Sequence, residues 1–275
     1  MFPVRAPNRA ILPVLWLLAG FGDARAGIAD PRGPAPIRAK SVVDARPHVG
    51  HRGAARMTRS QTTSASAPAF DGAFRARLLD LFRWRRDVRR FRPESVPAGL
   101  LDGLLEAACL APSVGLSQPW RFVAVEDPAR RAAVRANFET CNARALAGQE
   151  PGRAALYARL KLAGLDEAPC QLAVFADPDP TQGHGLGRAT VPETTAYSAV
   201  MAAHTLWLAA RAAGLGLGWV SILDPAAVRT ALDVPRDWML VGYFCLGYPR
   251  DESDTPELER AGWERRRTAA TLLRR

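Results

Sequence analysis

The stretch of this sequence best equipped for chemistry is Trp84-Arg85-Arg86-Asp87-Val88-Arg89-Arg90-Phe91, four arginines around one carboxylate, fenced by two aromatics. Guanidinium groups present planar forks of N–H donors that match phosphate or carboxylate oxygens. The stretch therefore reads as an anion site with an acid or base set inside it. At helical spacing Arg85 shares a face with Arg89, and Arg86 with Arg90, so two guanidiniums could close on one phosphate. A second reading stands beside it: a solvated helix end whose cations offset the partial negative charge of the last carbonyls.

Other segments carry further candidates. Pro112-Ser113-Val114-Gly115-Leu116-Ser117-Gln118-Pro119-Trp120 is a turn dense in small and polar residues, wedged between a helix end and a strand start, where ligands commonly sit. Gly214-Leu215-Gly216-Leu217-Gly218 leads into Trp219-Val220-Ser221-Ile222-Leu223, a strand whose glycines admit something flat against the backbone. Gly183-His184-Gly185-Leu186-Gly187-Arg188 is only outwardly like a dinucleotide fingerprint, because its third glycine comes too early and no helix starts within it. It reads as a lid over a ligand or as a glycine-rich connector. Four cysteines (Cys109, Cys141, Cys170, Cys245) show no Cys-x-x-Cys spacing, and the histidines form no metal pair, so no metal site is expected. Cys109 falls in an apolar helical pattern and Cys245 in an apolar strand; both read as structural thiols of a reducing compartment, the cytoplasm.

The elements that must position these residues follow from periodicity. Phe74, Leu78, Leu79, Leu81 and Phe82 predict a helix from Asp71 to about Trp84 that delivers the arginine stretch at its end. Leu100, Leu101, Leu104, Leu105 and Ala108 predict a second, stopping before Ala111-Pro112. Asp127-Pro128 opens a helix to about Ala147, Asp224-Pro225 opens a short one, and Leu156–Leu162 carries another. Strands are expected over Arg121–Val125, Leu172–Phe175, Trp219–Leu223 and Met239–Leu246. Thr194 to about Ala213 is apolar on nearly every face and reads as buried all round, a central helix or a subunit interface. Ser198, His204 and Thr205 interrupt it, which argues against a membrane span. Helices and strands alternate irregularly without a repeat, which predicts a single α+β domain over 70–275.

The formal net charge of +10 suggests a nucleic-acid protein until it is located. Met1–Ala69 holds ten Lys/Arg against three Asp/Glu, leaving 27 basic and 24 acidic residues beyond it. No basic stripe interleaved with aromatics appears there, so neither nucleic acid nor membrane is an expected partner. Residues 1–69 are Pro, Ala, Gly, Arg and Ser without period, a composition that cannot offset its own ordering entropy. The short apolar run Ile11–Leu18, between Arg9 and Ala24-Arg25-Ala26, resembles a secretory signal. The alternative, which nothing secreted-looking downstream opposes, is an extension upstream of a working start at Met57.

Three segments together resemble the flavin-dependent nitroreductase superfamily: Arg85–Phe91, Pro112-Ser113 with Ser117-Gln118-Pro119-Trp120, and the late glycine-rich strand followed by Leu246-Gly247-Tyr248-Pro249. Adding Lys161-Leu162-Ala163-Gly164-Leu165, Gly183–Arg188 and Gly218–Pro225, the chain is similar to the dimethylbenzimidazole synthase branch from about Asp71 to Arg266. The resemblance implies a mixed sheet flanked by helices and a homodimer with FMN at its interface. It implies that reduced FMN is the substrate, supplied by a separate flavin reductase. Molecular oxygen would be the co-substrate, and the lower ligand of cobalamin and a four-carbon sugar phosphate the products. A nicotinamide-dependent reductase of nitro compounds or quinones, and a non-catalytic flavin binder, are the alternatives.

Carried onto this chain, the resemblance gives Arg85 to the phosphate and Arg89 to the pyrimidine edge, with Arg86 and Val88 beside them. Pro112 and Ser113 would reach the ribityl or phosphate from the second subunit. Lys161 and Leu162 would approach the flavin, Gly218 would let the ring lie on its strand, and Arg265 or Arg266 would complete the phosphate clamp. One departure is informative. Ordinary members place a serine where this chain has Asp87, and a carboxylate about 4 Å from a phosphate costs roughly 4 kcal/mol per charge pair at an effective dielectric near 20. Asp87 is therefore expected either to be neutralised by the arginines or to turn toward ribityl and ring, where it could pass a proton. Ser221 is expected to hold a reaction species through its hydroxyl.

Overall fold

The computed structural model describes residues 67–267 and 271–275. The expectation for the N-terminal stretch, Met57 included, lies outside them up to residue 66, and every element from Gly72 onward belongs to one compact unit, Ala65–Arg275.

The helix starts are written locally. Asp71 caps α1 (Gly72–Trp84) by accepting the Phe74 N–H at 2.7 Å. Asp127 and Asp224 do the same for α3 (Pro128–Ala147) and α6 (Pro225–Leu232), each with proline at the first helical position, where its missing N–H costs nothing. Asn137 of α3 exchanges two hydrogen bonds with the Asp224 backbone and so fixes one helix start against the other. The remaining helices are α2 (Ala98–Ala108), α4 (Pro151–Tyr157), α5 (Thr194–Ala212) and α7 (Glu257–Arg260).

Four strands, β1 (Trp120–Ala124), β2 (Cys170–Ala176), β3 (Gly216–Val220) and β4 (Met239–Gly247), form one sheet in the order β1-β2-β4-β3, with every ladder antiparallel. The mixed character expected of the sheet rests on a single parallel bridge, Asp87 to Leu217. Period-two alternation sorts the side chains into two cores. Leu172, Val174, Phe244 and Leu246 face α2 and α5, whereas Ala173, Phe175, Tyr243 and Cys245 face α3 and α6. The sheet is thus the middle of three layers.

Some sequence expectations change. The helix over Leu156–Leu162 ends at Tyr157, and Leu160–Gly164 runs as a loop. Ser221 lies one residue beyond β3 and is exposed. Cys109 is an exposed residue at the C-terminal cap of α2, outside the apolar face to which the periodicity assigned it. Cys245 is buried, and burial pushes its thiol up to about 12. The helix α5 is not buried all round: Tyr197, Val200 and Met201 remain exposed among small buried residues. Among the described residues no helix is long and apolar enough to cross a membrane, and no group of three metal-ligating side chains forms.

The loop of Gly183–Arg188 docks on the turn of Ser113–Gln118. A Cβ on Gly183 would stand 2.6 Å from the Gly115 carbonyl oxygen, and one on Gly115 would stand 2.8 Å from that of Leu186. Both glycines have positive φ, and the Gln182 amide donates to the Leu116 carbonyl at 2.6 Å. These are backbone contacts that cannot shift cheaply. Gly183→Ala is expected to cost about 2 kcal/mol and to release the loop, read as a lower thermal midpoint with new protease cleavage between Asp179 and Arg188.

Candidate active site

The helix α1 ends at Trp84, and Arg85 already has extended backbone. From there the chain meets the open edge of β3 at Asp87 and Val88 and pairs with Pro249, past β4, at Phe91, so the arginines do not share helical faces. The side chains of Asp87 and Arg89 meet directly. Extended backbone thus replaces the helix surface on which Arg85 was paired with Arg89 and Arg86 with Arg90, and the solvated-helix-end reading goes with it. The edge supplies the cause. The Val88 N–H donates to the Leu217 carbonyl at 3.1 Å, and farther on Arg92 and Arg250 exchange bonds with Tyr248 and Arg90. Unpaired strand-edge groups thus capture a segment whose composition alone favours helix.

Two glycines make the close approach possible. A Cβ on Gly218 would lie 2.0 Å from the Val88 carbonyl oxygen, and one on Gly216 would lie 2.6 Å from a Val88 methyl. On that side of β3 the flat neighbour admitted by glycine is the chain's own backbone.

Asp87 is held on both oxygens. Its Oδ2 accepts from Arg89 Nη2 at 2.6 Å and Nε at 3.0 Å, while Oδ1 accepts the Trp219 N–H at 2.8 Å. The carboxylate thereby stands in for a main-chain acceptor in the ladder next to Val88. Arg89, only 11% exposed, spends its remaining fork on the Lys161 carbonyl at 2.9 Å. Lys161 Nζ pairs with Glu167 at 3.2 Å, and Glu167 also accepts the Phe91 N–H at 3.1 Å. Burial would raise the Glu167 carboxyl, but the Lys161 hydrogen bond, the Phe91 N–H and the charges of Lys161 and Arg250 outweigh it and hold the group below the ordinary carboxylate range.

Positive charge gathers at the other end. Arg85 lies 4.8 Å over the Trp207 ring. Desolvation lowers its pKa, Asp87 opposes this, and the charge of Arg266 lowers it further. Arg86 is lowered by desolvation, then by Arg266 and Arg85, and its Nε is buried without a hydrogen-bond partner. Three guanidiniums that destabilise one another, one with an orphaned donor, fit a multiply charged anion such as a phosphate. Of the two tail arginines it is Arg266, rather than Arg265, whose charge reaches the pair. Arg266→Ala is expected to weaken binding of a phosphate-bearing ligand about tenfold, the loss of one charge-assisted contact, and Arg265→Ala to leave it nearly unchanged by fluorescence titration.

The single chain does not gather every candidate. Pro112 is exposed, and Ser113 Oγ caps its own turn by accepting the Gln118 N–H at 3.1 Å; neither lines the cavity bounded by Arg86, Asp87, Arg89 and Arg90. Leu162 lines a cleft on the α3 side of its loop. Sequence reasoning missed Glu167, Trp219 and Trp207. Their roles are contacts across the fold, and only Gly164, next to Lys161-Leu162-Ala163, could have signalled a tight approach at that loop.

The model of the family described as "Nitroreductase family" matches residues 82–248. The chain belongs to the nitroreductase family. Within it, a 5,6-dimethylbenzimidazole synthase of Rhodospirillum rubrum is 59% identical over 209 residues, covering 76% of this chain and 99% of that protein. A protein of the same name from Rhodobacter capsulatus is 51% identical over 195 residues, covering 71% and 94%. Among solved nitroreductase-like structures, oxidized iodotyrosine deiodinase bound to FMN and 3-iodo-L-tyrosine superposes with a TM-score of 0.56 at 25% identity, over 72% of this chain and 97% of that one.

Proposed function

We infer that this chain is a 5,6-dimethylbenzimidazole synthase that takes reduced FMN as substrate and, with molecular oxygen, releases the lower ligand of cobalamin and a four-carbon sugar phosphate. The observation that carries the reading is Asp87, fixed between Arg89 and the Trp219 N–H where the resemblance puts a serine in ordinary nitroreductases. Cancelled by Arg89, this carboxylate coexists with a phosphate gripped by Arg85, Arg86 and Arg266. The site therefore has a phosphate end and a ring end, and the acid belongs to the ring end.

Reduced flavin, when bound, supplies the electrons for oxygen and the atoms of both products. Asp87 moves the proton at the carbon that joins ring to ribityl. Arg89 orients Asp87 and meets the pyrimidine edge, and Ser221, exposed just past β3, offers a hydroxyl to a reaction species. Lys161 meets the ring end through its carbonyl on Arg89, Leu162 lies on the α3 side of the same loop, and Gly218 keeps Val88 against β3. A homodimer completes the site. Exposed Tyr197, Val200 and Met201 on α5, with Leu116 on the turn, provide an apolar face for it. Pro112 and Ser113 would then reach the ribityl across that interface. A separate flavin reductase supplies reduced FMN, and the free thiols fit a cytoplasmic location.

A single turnover tests this. Reduced FMN is loaded without oxygen, air is admitted, and products are read by mass spectrometry. Dimethylbenzimidazole from the unsubstituted protein, and FMN binding without product from Ser221→Ala, are expected. Steady NAD(P)H oxidation with only oxidised FMN recovered would instead make the chain a nitro or quinone reductase.

A further inference from the structure

We propose that Glu167 is a positioning residue for the Asp87–Arg89 pair, acting through Lys161; the proposal rests on the functional reading above. Its carboxylate receives donors from three separated parts of the chain: the Phe91 N–H at 3.1 Å, Lys161 Nζ at 3.2 Å and Arg250 Nη2 at 3.5 Å. Phe91 ends the arginine segment. Lys161 carries the carbonyl that accepts from Arg89 Nη1 at 2.9 Å. One group thus anchors both the segment that bears Arg89 and the loop that receives it, closing a ring through Arg89, Lys161, Glu167 and Phe91.

Buried Ala163 seats the loop in the core, and the polar contacts orient its Lys161 carbonyl. Toward α3 the loop borders a cleft lined by Arg135, Phe138, Asn142, Leu162 and Leu165. Toward the site it touches the arginine segment closely at Gly164, where a Cβ would meet the Phe91 ring at 2.4 Å and the Arg89 carbonyl at 3.3 Å. Van der Waals contact at Gly164 sets how near the loop comes, and the Glu167–Lys161 pair sets where the Lys161 carbonyl points. Without that carbonyl the Arg89 guanidinium is free to turn. The Asp87 carboxylate follows, because Nε and Nη2 both hold the same oxygen. A shift of about 1 Å at a reacting group can cost as much as about a hundredfold in rate.

The test compares Glu167→Gln, Lys161→Met and the double variant in the full chain, by single-turnover product formation from reduced FMN and by affinity for oxidised FMN. Glu167→Gln keeps an acceptor for the Phe91 N–H, and Lys161→Met keeps the apolar stem and leaves the Glu167–Phe91 bond in place. Each single variant is expected to form product about tenfold more slowly with FMN affinity changed less than about threefold, and the double variant to be no slower than the worse single. Parent rates in both single variants, losses that multiply, or losses that track FMN affinity would overturn the proposal. Absence of product from the unsubstituted protein overturns the functional reading instead. The absorption spectrum of bound oxidised FMN then reads the ring: one change shared by all three variants supports it, and spectra identical to the parent overturn it.

Discussion

Asp87→Asn is expected to slow product formation from reduced FMN about a thousandfold, the loss of a proton-transfer group, while oxidised FMN still binds. The structure explains why even this isosteric change is severe. If the amide oxygen keeps the Trp219 N–H, its NH₂ faces Arg89 Nε and Nη2, and three donors meet with no acceptor between them. If the amide turns over, the NH₂ faces the Trp219 N–H instead. Either arrangement leaves a part-buried donor unpaired, at a cost of about 1–3 kcal/mol in folding stability, measurable by urea denaturation. Affinity for FMN moves the other way or not at all, since removing a negative charge leaves Arg85, Arg86 and Arg266 a stronger attraction for phosphate. A variant that bound no FMN would instead mark Asp87 as a structural counter-ion.

Gly218→Ala is the second large effect, and it acts on the fold first. The added Cβ would lie 2.0 Å from the Val88 carbonyl oxygen, a main-chain atom held by its neighbours. Relief requires the arginine segment to leave the edge of β3. That breaks the bond from the Val88 N–H to Leu217 and the bond from the Trp219 N–H to Asp87. Two part-buried hydrogen bonds and lost packing amount to about 2–4 kcal/mol, with flavin binding lost as well. Gly216→Ala is expected to be milder, because its Cβ meets a Val88 methyl that can rotate away. Denaturation midpoints of the two variants measure the difference directly.

These two sites also show what could and could not be read from the chain. Helix starts were legible because Asp71, Asp127-Pro128 and Asp224-Pro225 carry their capping chemistry within a few residues. The strands were legible as short apolar runs, whereas the two-sided core emerged only from the sheet. The arginine stretch reads as an anion site in its composition, but its geometry was not legible. Arginine favours helix, and nothing near Trp84 announces that the free edge of β3 will pull the chain into extended form. The Trp219 N–H lies 132 residues from Asp87 and Glu167 lies 76 from Phe91, so no local spacing could pair them. The choice between Arg265 and Arg266 likewise waited on which one reaches Arg85 and Arg86.

Carbon balance offers the most direct measurement. If the ribityl chain of five carbons leaves as a four-carbon sugar phosphate, its first carbon must stay with the benzimidazole. Reduced FMN labelled at that carbon, bound to the purified full chain and exposed to oxygen, is therefore expected to give dimethylbenzimidazole carrying the label and an unlabelled sugar phosphate. Labelled FMN recovered whole after oxidation, in an amount matching what was loaded, would contradict a synthase.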